Sequence, residues 1–310
     1  MGEIYKKGIC YFLCIAVTMM WWGCSNRAGK KIIRETPIAG TIHISVDESF
    51  KPIIDEQIKV FESSFPDAHI MAHYKPEADC FRDLALDSTR MIIVTRELND
   101  KEIEFYKNSH YYVPRYDLLA YDAIAVIVNN RSKDTVLTMN DIRSLLSGNS
   151  KHSLKVVMDG VSATSTVRYV IDSILKGRLP GENVVAARSS EQVINFIANN
   201  ENAIGFIGVS WIGDQDDPAQ LNFLQKVKVA AIKCDSCEAE TYVQPLQADI
   251  ELKRYPMIRG LYYILKENFS GVGNNFANFL QYERGQLIFR RAYLVPSRMS
   301  FEIRDVQMKK

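Results

Sequence analysis

Apolar runs of strand length alternate with helix-spaced segments through most of this chain, and that alternation limits it to a small set of folds. Residues 41–46 read as strand, and Ile54, Ile58, Phe61 and Phe65 mark one face of a helix that ends before Pro66. Residues 68–74 are strand-like again. They are followed by a short helical stretch over 81–86, a buried strand over 91–94 and a polar helix over 100–107. A second series begins at residues 123–128. Thr138 and Asp141 open a short helix that runs through Leu145 and Leu146 to a Gly148 cap. Residues 155–158 then form a strand, and Val167, Val170, Ile171, Ile174 and Leu175 recur at helical spacing. Ser189 and Gln192 fit a capping box for a helix to Asn199, and residues 203–208 and 227–232 supply further strands. Repeated β-α units require a mainly parallel sheet with helices on its faces. With 310 residues, 47% of them apolar and 24% charged, the chain has room for two such α/β lobes.

The first residues follow a different rule. Lys6 and Lys7 precede an uncharged, mostly apolar run over 8–22, and Gly23-Cys24 follows at once. The run is too short to span a bilayer comfortably and ends in a small residue, so residues 1–23 read as a signal peptide. The junction resembles a lipobox, which implies that the thiol of Cys24, as first mature residue, carries a lipid. An exported, periplasmic, membrane-anchored chain follows, with residues 24–39 as its tether. An uncleaved anchor is the other reading, and it also exports the rest.

Basic and acidic residues number 38 and 37; Lys6, Lys7 and Glu3 lie in the leader, so the remainder is balanced. Nucleic-acid binding needs a basic footprint and is not expected. Of six cysteines, Cys80, Cys234 and Cys237 lie beyond the leader and the lipid site. The spacing of Cys234 and Cys237 fits a redox or zinc motif, but zinc needs two further ligands and none is near in sequence. A local disulfide or two free thiols remain, and Cys80 reads as a small buried hydrophobe. No metal and no cofactor is expected.

Thr164, Ser165 and Thr166 sit between the strand 155–158 and the helix after it. The first N–H groups of a helix lack intrahelical partners and the aligned peptide dipoles favour an anion there, so the hydroxyls mark a candidate oxyanion site. An ordinary Ser/Thr cap explains the same residues locally.

Several longer segments, in order, resemble a known family. Ala123-Ile-Ala-Val-Ile-Val-Asn129 followed by residues 137–148, Asn202-Ala-Ile-Gly-Phe-Ile-Gly-Val-Ser210, Tyr255-Pro-Met-Ile-Arg259-Gly-Leu-Tyr262, and Gly285-Gln-Leu-Ile through Pro296 are similar to motifs of the phosphate-binding lipoproteins of phosphate ABC transporters. These are type II periplasmic binding proteins, and the likeness runs from about Gly40 to Val306. It implies a two-lobed α/β clamp joined by a hinge, with residues 40–120 and 243–310 in one lobe, 121–242 in the other, and inorganic phosphate between them.

The same resemblance implies a monomer that hands its ligand to an ABC transporter permease and is not an enzyme. By position it implies Ser49 and the Phe50 N–H as donors, with Thr164, Ser165, Thr166 and Arg168 across the cleft; the solvent face of its helix is the other placement for Arg168. Many members carry an arginine where Met158, Asp159 and Gly160 stand. Thr95, followed by Arg96, replaces an aspartate that accepts the ligand's proton. Charge is therefore expected from Arg168, Arg96 or the helix ends. Lys75-Pro-Glu77-Ala-Asp79 brings two acids into a loop that is Ser/Gly-rich in the family; both are expected to face solvent, and the other reading turns one carboxylate into the cleft, where it repels the anion or accepts its proton.

Two other readings stand beside this one: a binding protein for another oxyanion, sulfate-like, or an organic acid, and a metal-dependent phosphatase. The fold does not settle the ligand. His69 and His73 are the suggestive metal pair among His43, His69, His73, His110 and His152, but they lie on a strand and lack the glutamate of the hydrolase motif. No nucleophile elbow or Walker loop is visible.

Overall fold

The computed structural model describes residues 35–150, 154–160, 164–214, 216–238 and 240–299. The expected signal peptide, Cys24, most of the tether, His152, and residues 300–310 of the expected first lobe lie outside the described residues. Strand β1 (Ala39–Asp47) passes through one tight helical turn at Glu48–Phe50 into helix α1 (Lys51–Ser64), whose first turn holds Pro52 at a position that needs no N–H donor. Then come β2 (Asp67–Lys75), α2 (Glu77–Leu84), β3 (Thr89–Val94), α3 (Asp100–His110) and the long β4 (Arg115–Asn129). β5 (Val136–Leu137), α4 (Met139–Leu146), β6 (Lys155–Met158) and α5 (Ser165–Tyr169) follow, α5 continuing as a π-type turn to Ile174. β7 (Val184–Ala186), α6 (Ser190–Asn199), β8 (Ala203–Gly208), α7 (Pro218–Lys226), β9 (Val227–Val229), β10 (Ala231–Lys233) and β11 (Tyr242–Val243) come next. The described chain closes with α8 (Gln247–Glu251), β12 (Ile258–Leu265), α9 (Val272–Gln281), α10 (Glu283–Arg291) and β13 (Val295–Pro296).

The main sheet has the order β2-β1-β3-β12-β4-β8-β6-β7, with β9 and β13 also paired to β4, and β11-β10-β5 form a smaller sheet. β1 pairs in parallel with β2 and β3, and β6 with β7 and β8, as βα crossovers require. β12 and β4 run antiparallel to their neighbours in the middle of the sheet. β4 pairs with β12 up to Ala123 and with β8 from Ile124, so this one strand belongs to both halves of the sheet.

Alternation along the strands builds the cores. Ile42, Ile44 and Val46 of β1, Met91 and Ile93 of β3, and Leu261, Tyr263 and Leu265 of β12 share one face, covered by α1, α9 and α10 through Ile54, Phe61, Phe276, Leu280 and Phe289. Ile92, Val94 and Ile264 point the other way, against Cys80, Leu84 and Tyr106 of α2 and α3. In the second half, Ile124, Val126, Val128, Val156 and Ile204 pack under α4 and α5, while Ala125, Ile127, Val157 and Ile207 pack under α6. Period-two burial on both faces is what a sheet sandwiched between helix layers requires.

Local signals explain most helix starts. Thr138 and Asp141 form a reciprocal capping box, Asn99 and Glu102 form another, and Ser189 accepts from the Gln192 N–H. Gly148 adopts φ 73° just past α4, a conformation in which a side chain is strained. Helix α2 starts at Glu77, four residues earlier than its apolar spacing predicts, because Pro76 supplies a fixed φ at the cap and acids fill the first turn. Cys234 and Cys237 are joined by a disulfide, Cα atoms 5.5 Å apart, in the turn between β10 and β11. Cys80 is fully buried, and His69 and His73 share the exposed face of β2.

Candidate functional site

Three segments far apart in sequence, at residues 49, 164–166 and 190, bring hydroxyl groups to one carboxylate. Asp159 lies just past β6 and is 4% exposed. Its Oδ2 accepts from Ser49 Oγ at 3.0 Å, Thr166 Oγ1 at 3.2 Å and Ser190 Oγ at 3.5 Å, and its Oδ1 accepts from Thr164 Oγ1 at 3.2 Å. Ser165 Oγ lies 3.4 Å from Ser49 Oγ. Thr164 serves twice: its hydroxyl donates to Asp159 and accepts from the Val167 N–H at 3.2 Å, which makes it the cap of α5. The cap and the site are therefore one arrangement.

Asp47 ends β1 and closes the cluster from the other side. One of its carboxylate oxygens accepts the Ser49 N–H at 2.9 Å and the other the Ser165 N–H at 3.3 Å. Glu48 reaches the first turn of α6, accepting the Ser190 N–H at 3.1 Å and its hydroxyl at 2.9 Å. Burial pushes the Asp47 carboxyl up to about 6, with Glu77 and Asp159 adding to the rise and Arg259 opposing it. Burial, followed by the Asp159 charge, pushes Glu48 up to about 7. Burial likewise raises Asp159 above the ordinary carboxylate range, against the pull of Arg259 and the hydroxyls.

Arg259 supplies the guanidinium. It stands on β12 directly opposite Asp122 on β4, and its Nε donates to Asp122 Oδ2 at 2.7 Å. Nη1 donates to Ser165 Oγ at 2.8 Å and reaches Thr166 Oγ1 at 3.4 Å, while Nη2 is buried without a hydrogen-bond partner. The Phe50 ring lies against this guanidinium, 5.0 Å from ring centroid to Cζ. At Gly208, a Cβ would come within 3.0 Å of Nη2, so the absent side chain leaves the guanidinium its room. Burial disfavours the charge on Arg259, but Asp122 and Asp47 more than offset that and hold its pKa above the ordinary value.

A second cluster adjoins the first. Glu77, 2% exposed, accepts both the N–H and the hydroxyl of Thr95 at 2.7 Å and pairs with Arg168 Nε at 2.6 Å; Arg168 Nη2 also donates to Thr95. Burial works against the Glu77 carboxylate, but Arg168 and Thr95 together hold its pKa below the usual value. The solvent-facing expectation for Glu77 is thus overturned: Arg168 reaches across from α5 and neutralises it.

Of the residues expected from sequence, Ser49, Thr164, Ser165 and Thr166 converge on the Asp159 cluster. Phe50 joins it through its ring, and Thr95 and Arg168 join the neighbouring one. Arg96 does not reach either: it is held by Glu102 at 2.8 Å and stacked 3.5 Å from the centroid of the Phe81 ring. Asp47, Glu48, Asp122, Asp159, Ser190 and Arg259 are the members that residue-by-residue reading passed over. A signal existed for two of them, since Asp122 and Arg259 are charges inside apolar strands, where burial without a partner is costly.

The chain belongs to the family described as "PBP superfamily domain", which matches residues 34–284. No curated protein matches the chain significantly. Solved structures share the fold at low identity. A protein from Clostridium perfringens, described as a phosphate ABC transporter substrate-binding protein with bound phosphate, is 20% identical, with a TM-score of 0.68 over 84% of this chain and 100% of that one. An ABC-type phosphate transport receptor from Vibrio cholerae is 16% identical, with a TM-score of 0.60 over 83% and 100%. The regulatory domain of CcmR from Synechocystis PCC6803, in complex with 2-PG, is 12% identical, with a TM-score of 0.52 over 78% and 95%. The fold is therefore that of binding and receptor proteins, in a mixed α/β form.

Proposed function

We propose that this chain is a solute-binding protein that captures inorganic phosphate between the two halves of its sheet and delivers it to an ABC transporter permease. The observation that carries the proposal is the convergence of Ser49, Thr164, Thr166 and Ser190 on one buried anionic group, with Arg259 bonded to the hydroxyl beside them. Hydroxyl and guanidinium donors fixed in a desolvated site suit a tetrahedral oxyanion, whose oxygens accept from several directions at once. Ser49 comes from the β1–α1 junction and the remaining hydroxyls from the second half, so a ligand held by both favours closure.

In this reading residues 40–120 and 243–310 form one lobe and 121–242 the other, with β4 as the element they share. The chain is exported and anchored through Cys24, and it acts as a monomer. The acids near the site favour phosphate over sulfate, because a protonated phosphate oxygen donates to Asp47 or Glu48 whereas sulfate at neutral pH has no proton to give. Calorimetric titration of the purified protein with phosphate, and in parallel with sulfate, tests this. The expected outcome is saturable phosphate binding and weaker sulfate binding. Absence of phosphate binding at millimolar concentration refutes it.

A further inference from the structure

The hydroxyls of the candidate site are already engaged by a group of the protein itself. Asp159 accepts from three of them, Ser49 before α1, Thr164 at the cap of α5 and Thr166 in its first turn, and lies 3.5 Å from a fourth, Ser190 opening α6, whose one proton points mainly to Glu48. A buried carboxylate needs compensation, and the usual form is a direct ion pair. The hydrogen bonds of Arg259 go elsewhere, to Asp122, Ser165 and Thr166, and its Nη2 has no partner. Asp159 is therefore held by neutral donors, in the manner of a bound anion, and the guanidinium beside it keeps a donor in reserve.

We infer that Asp159 is the resident occupant of the hydroxyl pocket and the residue that decides which ionic form of an oxyanion is admitted. The inference rests on the capture reading above. A ligand takes the hydroxyls from Asp159, and the displaced carboxylate then stands beside it. Asp47 and Glu48 already lie close enough for their charges and that of Asp159 to act on one another, and Glu77 acts on Asp47 from α2. Opposing them are Arg259, whose charge is shared with Asp122, and Arg168, which is tied to Glu77. The balance is negative, so a fully deprotonated ligand meets repulsion, while a ligand with a proton satisfies one carboxylate by donating to it.

The test compares phosphate binding by the wild-type protein with Asp159→Asn, which keeps shape and removes charge, and Asp159→Ser, which also leaves space for a ligand oxygen. Calorimetry is run at about pH 5.5 and about pH 8, on either side of the range where phosphate and the raised carboxyls titrate. Both variants are expected to bind phosphate at least about tenfold more tightly than wild type at the higher pH, the effect of removing one neighbouring like charge. The difference is expected to shrink at the lower pH, where the ligand carries a further proton and Asp47 and Glu48 begin to take theirs up. Thermal unfolding without phosphate identifies a variant that does not fold, and the second variant then carries the comparison. Wild-type binding that neither variant improves at the higher pH overturns the role of Asp159 and leaves the capture reading standing. No phosphate binding by any of the three proteins overturns both.

Discussion

Arg259 and Asp122 face each other across β12 and β4, and neither side chain is accessible to solvent beyond a few per cent. Removing one partner of a buried pair leaves the other charged and unsolvated, which costs more than the pair contributes. Arg259→Met is therefore expected to destabilise the protein by about 3–5 kcal/mol in urea unfolding, with Asp122→Asn in the same chain recovering part of the loss. Stability unchanged in the single variant contradicts this account. The pair also shows what a sequence conceals. Each charge stands out within an apolar strand, but which charges meet depends on a register set between segments 137 residues apart. Thr164, Ser165 and Thr166 were legible because a helix cap is written in adjacent residues. Ser190 was legible as a helix opening and not as part of the site, since Glu48 and Asp159 reach it only in the folded chain. Arg168 is legible as a cation near the site, but its partner Glu77 stands where the sequence looks like loop and a helix in fact begins.

Helices α9 and α10 meet at a junction where Gly285 lies against the end of α9: a Cβ there would fall 2.3 Å from the Phe279 carbonyl oxygen and 2.7 Å from the Leu280 Cα. Both are backbone atoms, so the helices themselves must separate to make room. Gln57 Nε2 from α1 donates to the Gly285 carbonyl at 2.8 Å, and Gln286 Nε2 donates to the carbonyls of Leu119 and Leu280. The Gly-Gln pair seen in the sequence thus joins three helices to the shared strand β4. Gly285→Ala is expected to destabilise by about 1–3 kcal/mol, the range for overpacking a filled interior, read as a lowered unfolding temperature. An unchanged unfolding temperature contradicts it. The βα pattern of the outer strands was visible in the sequence because burial alternation and caps are local. The antiparallel run of β12 between β3 and β4 was not, because its position follows from where the chain returns after the second half is complete.

The two halves of the molecule are tied by the continuous β4 and by buried acids that cross from residues 47–77 to residues 159–190. Asp47 holds the Ser165 N–H, Glu48 holds Ser190, Ser49 donates to Asp159, and Glu77 pairs with Arg168. Three of these acids bind protons more readily in the folded state than in the unfolded chain: Asp47 moves from 3.8 to about 6, Glu48 from 4.5 to about 7, and burial raises Asp159 as well. An acid whose folded pKa is raised contributes stability that is fully present below its unfolded pKa and is lost as pH rises through its folded pKa. Glu77 has the opposite sign: its contribution is present above its unfolded pKa and is lost as pH falls through its lowered folded value. Stability is therefore expected to fall as pH rises from about 5 to about 8, by up to about 1.4 kcal/mol per pH unit for each proton released. Scanning calorimetry of the ligand-free protein across that range measures it. Glu48→Gln, which cannot ionise, is expected to flatten the upper part of the decline. A wild-type unfolding temperature that instead rises from about pH 5 to about pH 8 would mean that these carboxyls fold in their charged form.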